Sequence, residues 1–164
     1  MAYTITDQVI GTQPIAVTDT VQRHPLGMII RANDPVYGGG EFIYLKGVGS
    51  TVVGSLVNYD QYLGTTTLAP ATGGKGAVAV AMSANVANQY GWYQIAGCAA
   101  VKAPNAMVPG AEVFMLAATP GSVDDAAVNG EQVLNAVVST TTGTPGSGLG
   151  LIQINRPFLQ GQIV

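Results

Sequence analysis

Any nucleophilic or acid–base chemistry in this chain has to run on one histidine, one cysteine and nine carboxylates among 164 residues. Cys98 sits in an apolar run between Gly97 and Ala99, and a reactive thiolate needs a neighbouring base. The sole imidazole, His24, stands beside Pro25 and far from Cys98 in sequence, so Cys98 reads as a buried, inert thiol. A Ser–His–Asp arrangement would have to use the same His24, in the stretch least expected to be rigid. Asp34, Glu41, Asp60, Glu112 and Glu131 show no spacing that pairs two of them for hydrolytic work. Metal binding needs several such ligands to converge, and the adjacent Asp124 and Asp125 read better as a turn or a helix start. The glycine-rich stretches "YGGGEF" (37–42) and "TGGKG" (72–76) match neither GxxxxGK[ST] nor a GxGxxG between strand and helix. Glycines before a strand make a loop or a bulge. No enzymatic activity, cofactor or metal is therefore expected.

The most aromatic stretch is "QYGWYQIAGCAAVKA" (89–103). On a strand, Trp92 and Gln94 point one way and Tyr93 and Ile95 the other. Core packing is the expectation for Trp92. Gln89 and Tyr90, at the entry to the strand, are better placed for contact with another protein, because rim aromatics are common interface anchors.

Charge narrows the function further. Only 9% of residues are charged, with six basic, nine acidic and a net charge of −3, where a soluble domain usually has about 25%. Such a chain either carries a neutral Thr/Ser/Asn/Gly surface or covers much of its exterior in an assembly, and the second is expected here. The six basic residues are spread singly, so no run of phosphates can be neutralised and nucleic acid is not an expected partner. No apolar run approaches the roughly 18 residues of a membrane span, and no membrane partner is expected. The opening "MAYTITDQVIG" lacks a basic segment followed by an apolar one, as a signal peptide would have. A single cysteine allows no disulfide within the chain.

The elements that must position these residues read as all-β. Twenty-two glycines and nine prolines punctuate short apolar runs. Strands are expected at 26–32, 41–46, 51–58, 77–83, 92–96, 98–103, 112–117, 133–140 and 149–156. Their spacing suits a single compact sandwich or jelly roll, or a small β-barrel. "AVAVAMS" puts Val78, Val80 and Met82 on one face and Ala77, Ala79 and Ala81 on the other, a flat face suited to a second sheet or a neighbouring subunit. "EFIYLK" is apolar on both faces, the mark of a strand covered on both sides. The one stretch with helical signals is "GSVDDAAVNGEQ", where Ser122 is a candidate cap. Residues 1–25 are rich in Thr, Gln and Asp and are expected to form an extended arm leaving a β domain at 26–164. The Thr/Gly stretches 62–76 and 139–148 are expected to be long loops, candidates for reaching across a seam.

Taken together, 24–60, 89–103 and 151–162 resemble the head decoration, or capsid cement, proteins of tailed bacteriophages. The motifs that carry the likeness are loose ones: "YGGGEFIYLKG" at 37–47, "YGWYQIAG" at 90–97 and the closing "RPF" at 156–158. The resemblance implies a β-rich, non-catalytic virion protein displayed in many copies on the capsid exterior after assembly in the host cytoplasm. Its partners would be the major capsid protein and itself, as dimer or trimer. A polar, weakly charged contact face and bivalent engagement fit that role, since a second contact made from a tethered position binds at high effective concentration. Other virion components, such as a tail or head-fibre subunit, share the composition. A soluble module holding an apolar or sugar ligand at the aromatic stretch is a further reading. The interface candidates are Tyr3 and Ile5 in the arm, Tyr37 in the glycine loop, Gln89 and Tyr90, and Arg156 and Phe158 in a closing segment expected to pack on a neighbour. Removal of residues 2–20 is expected to weaken shell binding and leave the fold intact.

Overall fold

A computed structural model describes residues 3–7, 11–83 and 87–161. Among these residues the chain is all-β. Its strands are β1 (Thr4–Ile5), β2 (Ile29–Asp34), β3 (Gly38–Lys46), β4 (Leu56–Asp60), β5 (Thr65–Leu68), β6 (Lys75–Ala81), β7 (Tyr90–Lys102), β8 (Glu112–Met115), β9 (Val123–Asp124), β10 (Gln132–Val138) and β11 (Leu149–Gln160).

The hydrogen-bonded order is β1-β2-β3-β5-β4-β6-β7-β11-β10-β8-β9, with β3 also paired to β7 and β6 to β11. The β3–β7 pairing closes β3, β5, β4, β6 and β7 into a small barrel. Its weakest seam is β3 to β5, joined by the single parallel pair Lys46–Thr65 and reinforced where Thr66 Oγ1 donates to the Lys46 carbonyl at 2.9 Å. The barrel interior is filled by Ile43, Leu45, Val57, Ala79, Ala81, Tyr93 and Ile95. Period-2 alternation sends the other faces of the same strands elsewhere. Val78 and Val80 of β6 and Leu56 of β4 join a second, larger core with Ala99, Val101, Val113, Val133, Ile152, Ile154 and Leu159. The fold is thus a barrel on one side of β4 and β6 and a sandwich on the other. Ala79 and Ala81 of "AVAVAMS" point into the barrel, while Ala77 is half-buried opposite Phe158 and Met82 lies beyond β6 in the Trp92 cluster, not beside Val78 and Val80 as expected; "EFIYLK" is covered on both sides, as expected.

Two of the expected strands are one. The strands expected at 92–96 and 98–103 merge into the continuous β7, Tyr90–Lys102, whose first half pairs with β3 and second half with β11. The change of partner falls at Gly97, next to a bulge in the β3–β7 register between Glu41 and Phe42. Residues 51–55 form a turn, with Ser55 N donating to the Val52 carbonyl and Thr51 Oγ1 to that of Val48, so β4 begins only at Leu56. The expected helix over 121–132 is absent: Val123–Asp124 is a short edge strand against β8, and the Asp124 carboxylate accepts from Asn105 Nδ2 at 2.7 Å. Side-chain bonds to local backbone and amide groups compete with helix there. The stretch 62–76 is not a free loop, because it contains β5 and the start of β6, whereas 139–148 is a connection between β10 and β11, as expected.

The N-terminal segment does not leave the body. β1 pairs with β2 through Thr4–Asn33 and Ile5–Ala32. Ile15 is buried among Ile30, Ala32, Phe42, Tyr44, Met82 and Trp92. Trp92 Nε1 donates to the Gln13 carbonyl at 3.2 Å, and Asp19 and Tyr90 exchange backbone hydrogen bonds. The physical reason is the outer face of β3 and β7, where Phe42, Tyr44 and Trp92 need apolar cover. The polar composition of 1–25 hides the few residues that supply it: Tyr3, Ile5 and Ile15.

Candidate interaction surface

Five of the seven interface candidates lie towards the Gly38 end of β3 or on β11, and two lie at the other end. Gly40 pairs with Gly97 and Lys46 with Tyr90, and six residues of strand separate those pairs by about 20 Å. Gln89 and Tyr90 are therefore remote from Arg156. Tyr90 is half-buried and stacks on Tyr44 with ring centroids 6.4 Å apart. His24 closes the same aromatic cluster, 5.0 Å from Tyr44 and 5.6 Å from Trp92.

Tyr3 is a packing residue as well as a surface one. Its ring meets Phe42 edge-on at 4.8 Å. Its hydroxyl donates to the Cys98 carbonyl at 2.9 Å and accepts from Gln94 Nε2 at 3.3 Å. Gln94 is fully buried, and its amide also donates to the carbonyls of Ala96 and Cys98, stapling the bend of β7. Burial pushes the Tyr3 hydroxyl up to about 12, against the opposing effect of the Gln94 bond. The unfolded chain ionises near pH 10, so the stability contributed by the neutral, packed hydroxyl is complete below about pH 10 and is lost as pH rises through 12. The melting temperature should fall steeply across that interval. Tyr3→Phe should flatten the fall; an unchanged profile would show that other tyrosines govern it.

Ile5 packs beside Tyr3 on the same cluster. Tyr37 is half-buried in the β2–β3 turn, where Asp34 Oδ1 accepts from the Val36 and Tyr37 amides at 2.8 and 2.9 Å. Phe158 and Arg156 lie on β11, whose outer face pairs with that of β10. Leu134 stands opposite Phe158, and Val137 opposite Gln153. Phe158, Val137 and Leu134 are 46%, 44% and 37% exposed, so they form an apolar strip on an otherwise polar face. Residues 162–164 of the closing segment lie outside the described residues.

Leu134, Val137 and Arg31 were missed by sequence reasoning, although "QVLNAVV" carried a signal. It is apolar at both parities, so one face had to be left exposed or covered by something else. Between Leu134 and Ala136 the register slips, with Asn155, Arg156 and Pro157 facing Asn135 alone. Arg156 adopts φ +50° there, and its guanidinium reaches β3, where one NH2 lies 2.8 Å from Glu41 Oε2. Arg31 approaches the other oxygen of Glu41 at 3.4 Å. Glu41 thus takes part in charge pairing, and beside it the Asp7 carboxylate accepts from the Arg31 amide at 2.6 Å. Among the described residues no three His, Cys, Asp or Glu side chains come together to hold a metal ion. Cys98 is half-buried and not fully buried as expected, yet that burial still raises its thiol, which disfavours the nucleophilic thiolate.

An apolar cleft of about 380 Å³ is lined by residues of the N-terminal segment and of the body, chiefly Tyr3, Ile15, Val53, Met82, Pro145 and Leu149. A scan against protein-family models, a search of curated proteins and a search of solved structures each found no match to this chain.

Proposed function

We propose that this chain is a non-catalytic structural subunit of a phage virion that binds the outside of the capsid and cements the junctions between major capsid subunits. The observation that supports it best is the outer face of β10 and β11. Phe158, Leu134 and Val137 are held on rigid strands and left uncovered in a chain with only 9% charged residues. Apolar side chains on a rigid sheet lose little conformational entropy on docking, and a weakly charged rim costs little to desolvate. Preassembled, undecorated phage shells should co-sediment with the wild-type chain. Phe158→Thr with Leu134→Thr should sharply weaken binding while leaving the circular dichroism spectrum unchanged, because both side chains are partly exposed and threonine is accommodated in a strand. A wild-type chain that stays in the supernatant with intact shells would end the proposal.

The apolar cleft favours a second reading, a small ligand-binding module, since 380 Å³ lies within the range of small-molecule sites. Ile15 and Met82 belong to the cluster that holds Trp92. A ligand in the cleft should therefore shift the tryptophan emission of a monomeric protein.

A further inference from the structure

The cleft of about 380 Å³ draws its walls from the N-terminal segment, the 51–55 turn, β6, β7 and the 139–148 connection. None of the described residues that line it is charged, and Tyr3 is the one among them with a hydroxyl or amide. That hydroxyl already donates to the Cys98 carbonyl and accepts from Gln94 Nε2, so it has no proton left for a ligand. The walls are also fixed before anything enters. Ile15 and Met82 pack in the Trp92 cluster, and Ala81 and Ala100 sit on paired strands. The turn that carries Val53 is tied to both strands: the Gly54 amide donates to the Ala81 carbonyl at 2.9 Å, and the Gly54 carbonyl accepts from the Lys102 amide at 2.8 Å. A wall set in advance spares a ligand the entropy of ordering it.

We propose that this cleft binds a small, uncharged, mainly hydrocarbon molecule. The inference rests on the ligand-binding reading and names the class of ligand. The lining decides between three chemistries. A carboxylate or ammonium group would give up its hydration to walls that offer no opposite charge. A sugar would bury several hydroxyls against walls with no free side-chain partner, and each unpaired hydroxyl costs binding energy. A hydrocarbon skeleton meets walls of its own kind. Apolar cavities of about 150 Å³ stay dry and take up benzene, and this cleft has room for a larger frame of fused rings or a short branched chain. The flexible thioether of Met82 lets one wall adapt to an irregular outline.

The test is an NMR titration of the full chain with 1-adamantanol, 1-adamantanecarboxylate and glucose, followed through the Met82 and Leu149 methyl groups and the emission of Trp92. Adamantanol should move both methyl signals and the emission. The carboxylate carries the same cage with a charge and should bind about tenfold more weakly, while glucose should move nothing. Val53 is 49% exposed, so a lysine there keeps its ammonium in water beside the ligand. Val53→Lys should weaken adamantanol and tighten the carboxylate severalfold, a reversal that a merely structural Val53 would not give. Ala100→Leu should fill the cleft and remove adamantanol binding; if that variant does not fold, Val53→Lys decides by itself. Carboxylate or glucose binding as tight as adamantanol, or an unchanged order in Val53→Lys, would overturn the inference. Glucose binding alone would sink the hydrocarbon class and leave a ligand-binding module standing, whereas silence from all three compounds would remove both. Shell co-sedimentation reads the capsid role separately.

Discussion

Gly97→Ala should destabilise the fold by about 2–5 kcal/mol, the sum of a strained backbone and an overpacked contact. Gly97 has φ +102°, and a Cβ built there would lie 2.4 Å from the Gly39 carbonyl oxygen and 3.0 Å from the Gly40 Cα. Both are backbone atoms of the facing strand and cannot rotate away. Relief would require β3 and β7 to separate at the point where β7 leaves the barrel for the sandwich. Urea unfolding of the purified variant is the measurement, and a midpoint within error of wild type would show that the crossing is looser than its geometry. Gly39→Ala is the control: its φ is not left-handed and its nearest neighbour is 3.9 Å away, so it should be close to neutral.

Trp92→Ala should cost about 3–5 kcal/mol, the range for deleting a large buried aromatic side chain. That is a large part of a typical domain's total stability. The indole is fully buried and packs edge-on against Tyr44 at 5.1 Å. It also holds the Gln13 carbonyl. Its removal leaves a cavity and frees the segment that crosses it, so limited proteolysis should cut within 11–25 before any other region. Trp92→Phe keeps most of the apolar contact and should cost less while still loosening that segment. Deletion of 2–20 should likewise destabilise the body, contrary to the expectation from sequence, because Ile15 and Gln13 go with it.

The strand pattern was legible where alternation was strict, and the reason is local. "EFIYLK" and "AVAVAMS" contain their own burial information on both faces. The continuity of β7 was not legible, because a glycine between two apolar runs looks like a turn; the pairing of Gly97 with Gly40 across the barrel makes it a crossing. The short strands Thr4–Ile5, Thr65–Leu68 and Val123–Asp124 carry too few residues for a period and depend on long-range pairing. Of the candidate surface, Phe158 and Arg156 stood out in the sequence as an aromatic and a cation near the end of the chain. Arg31 did not, since Arg156 reaches the Arg31–Glu41 pair of the β2–β3 hairpin from a strand 115 residues beyond Glu41.

The double service of β7 and β11 has a mechanical consequence. Each strand belongs to both halves of the molecule: β7 pairs with β3 and then β11, while β11 pairs with β7 and then β6. A pull applied to the Phe158 face is therefore carried along continuous ladders in shear, where many backbone bonds must break at once, and it enters both halves together. The two halves share these ladders, so their loss should be coupled.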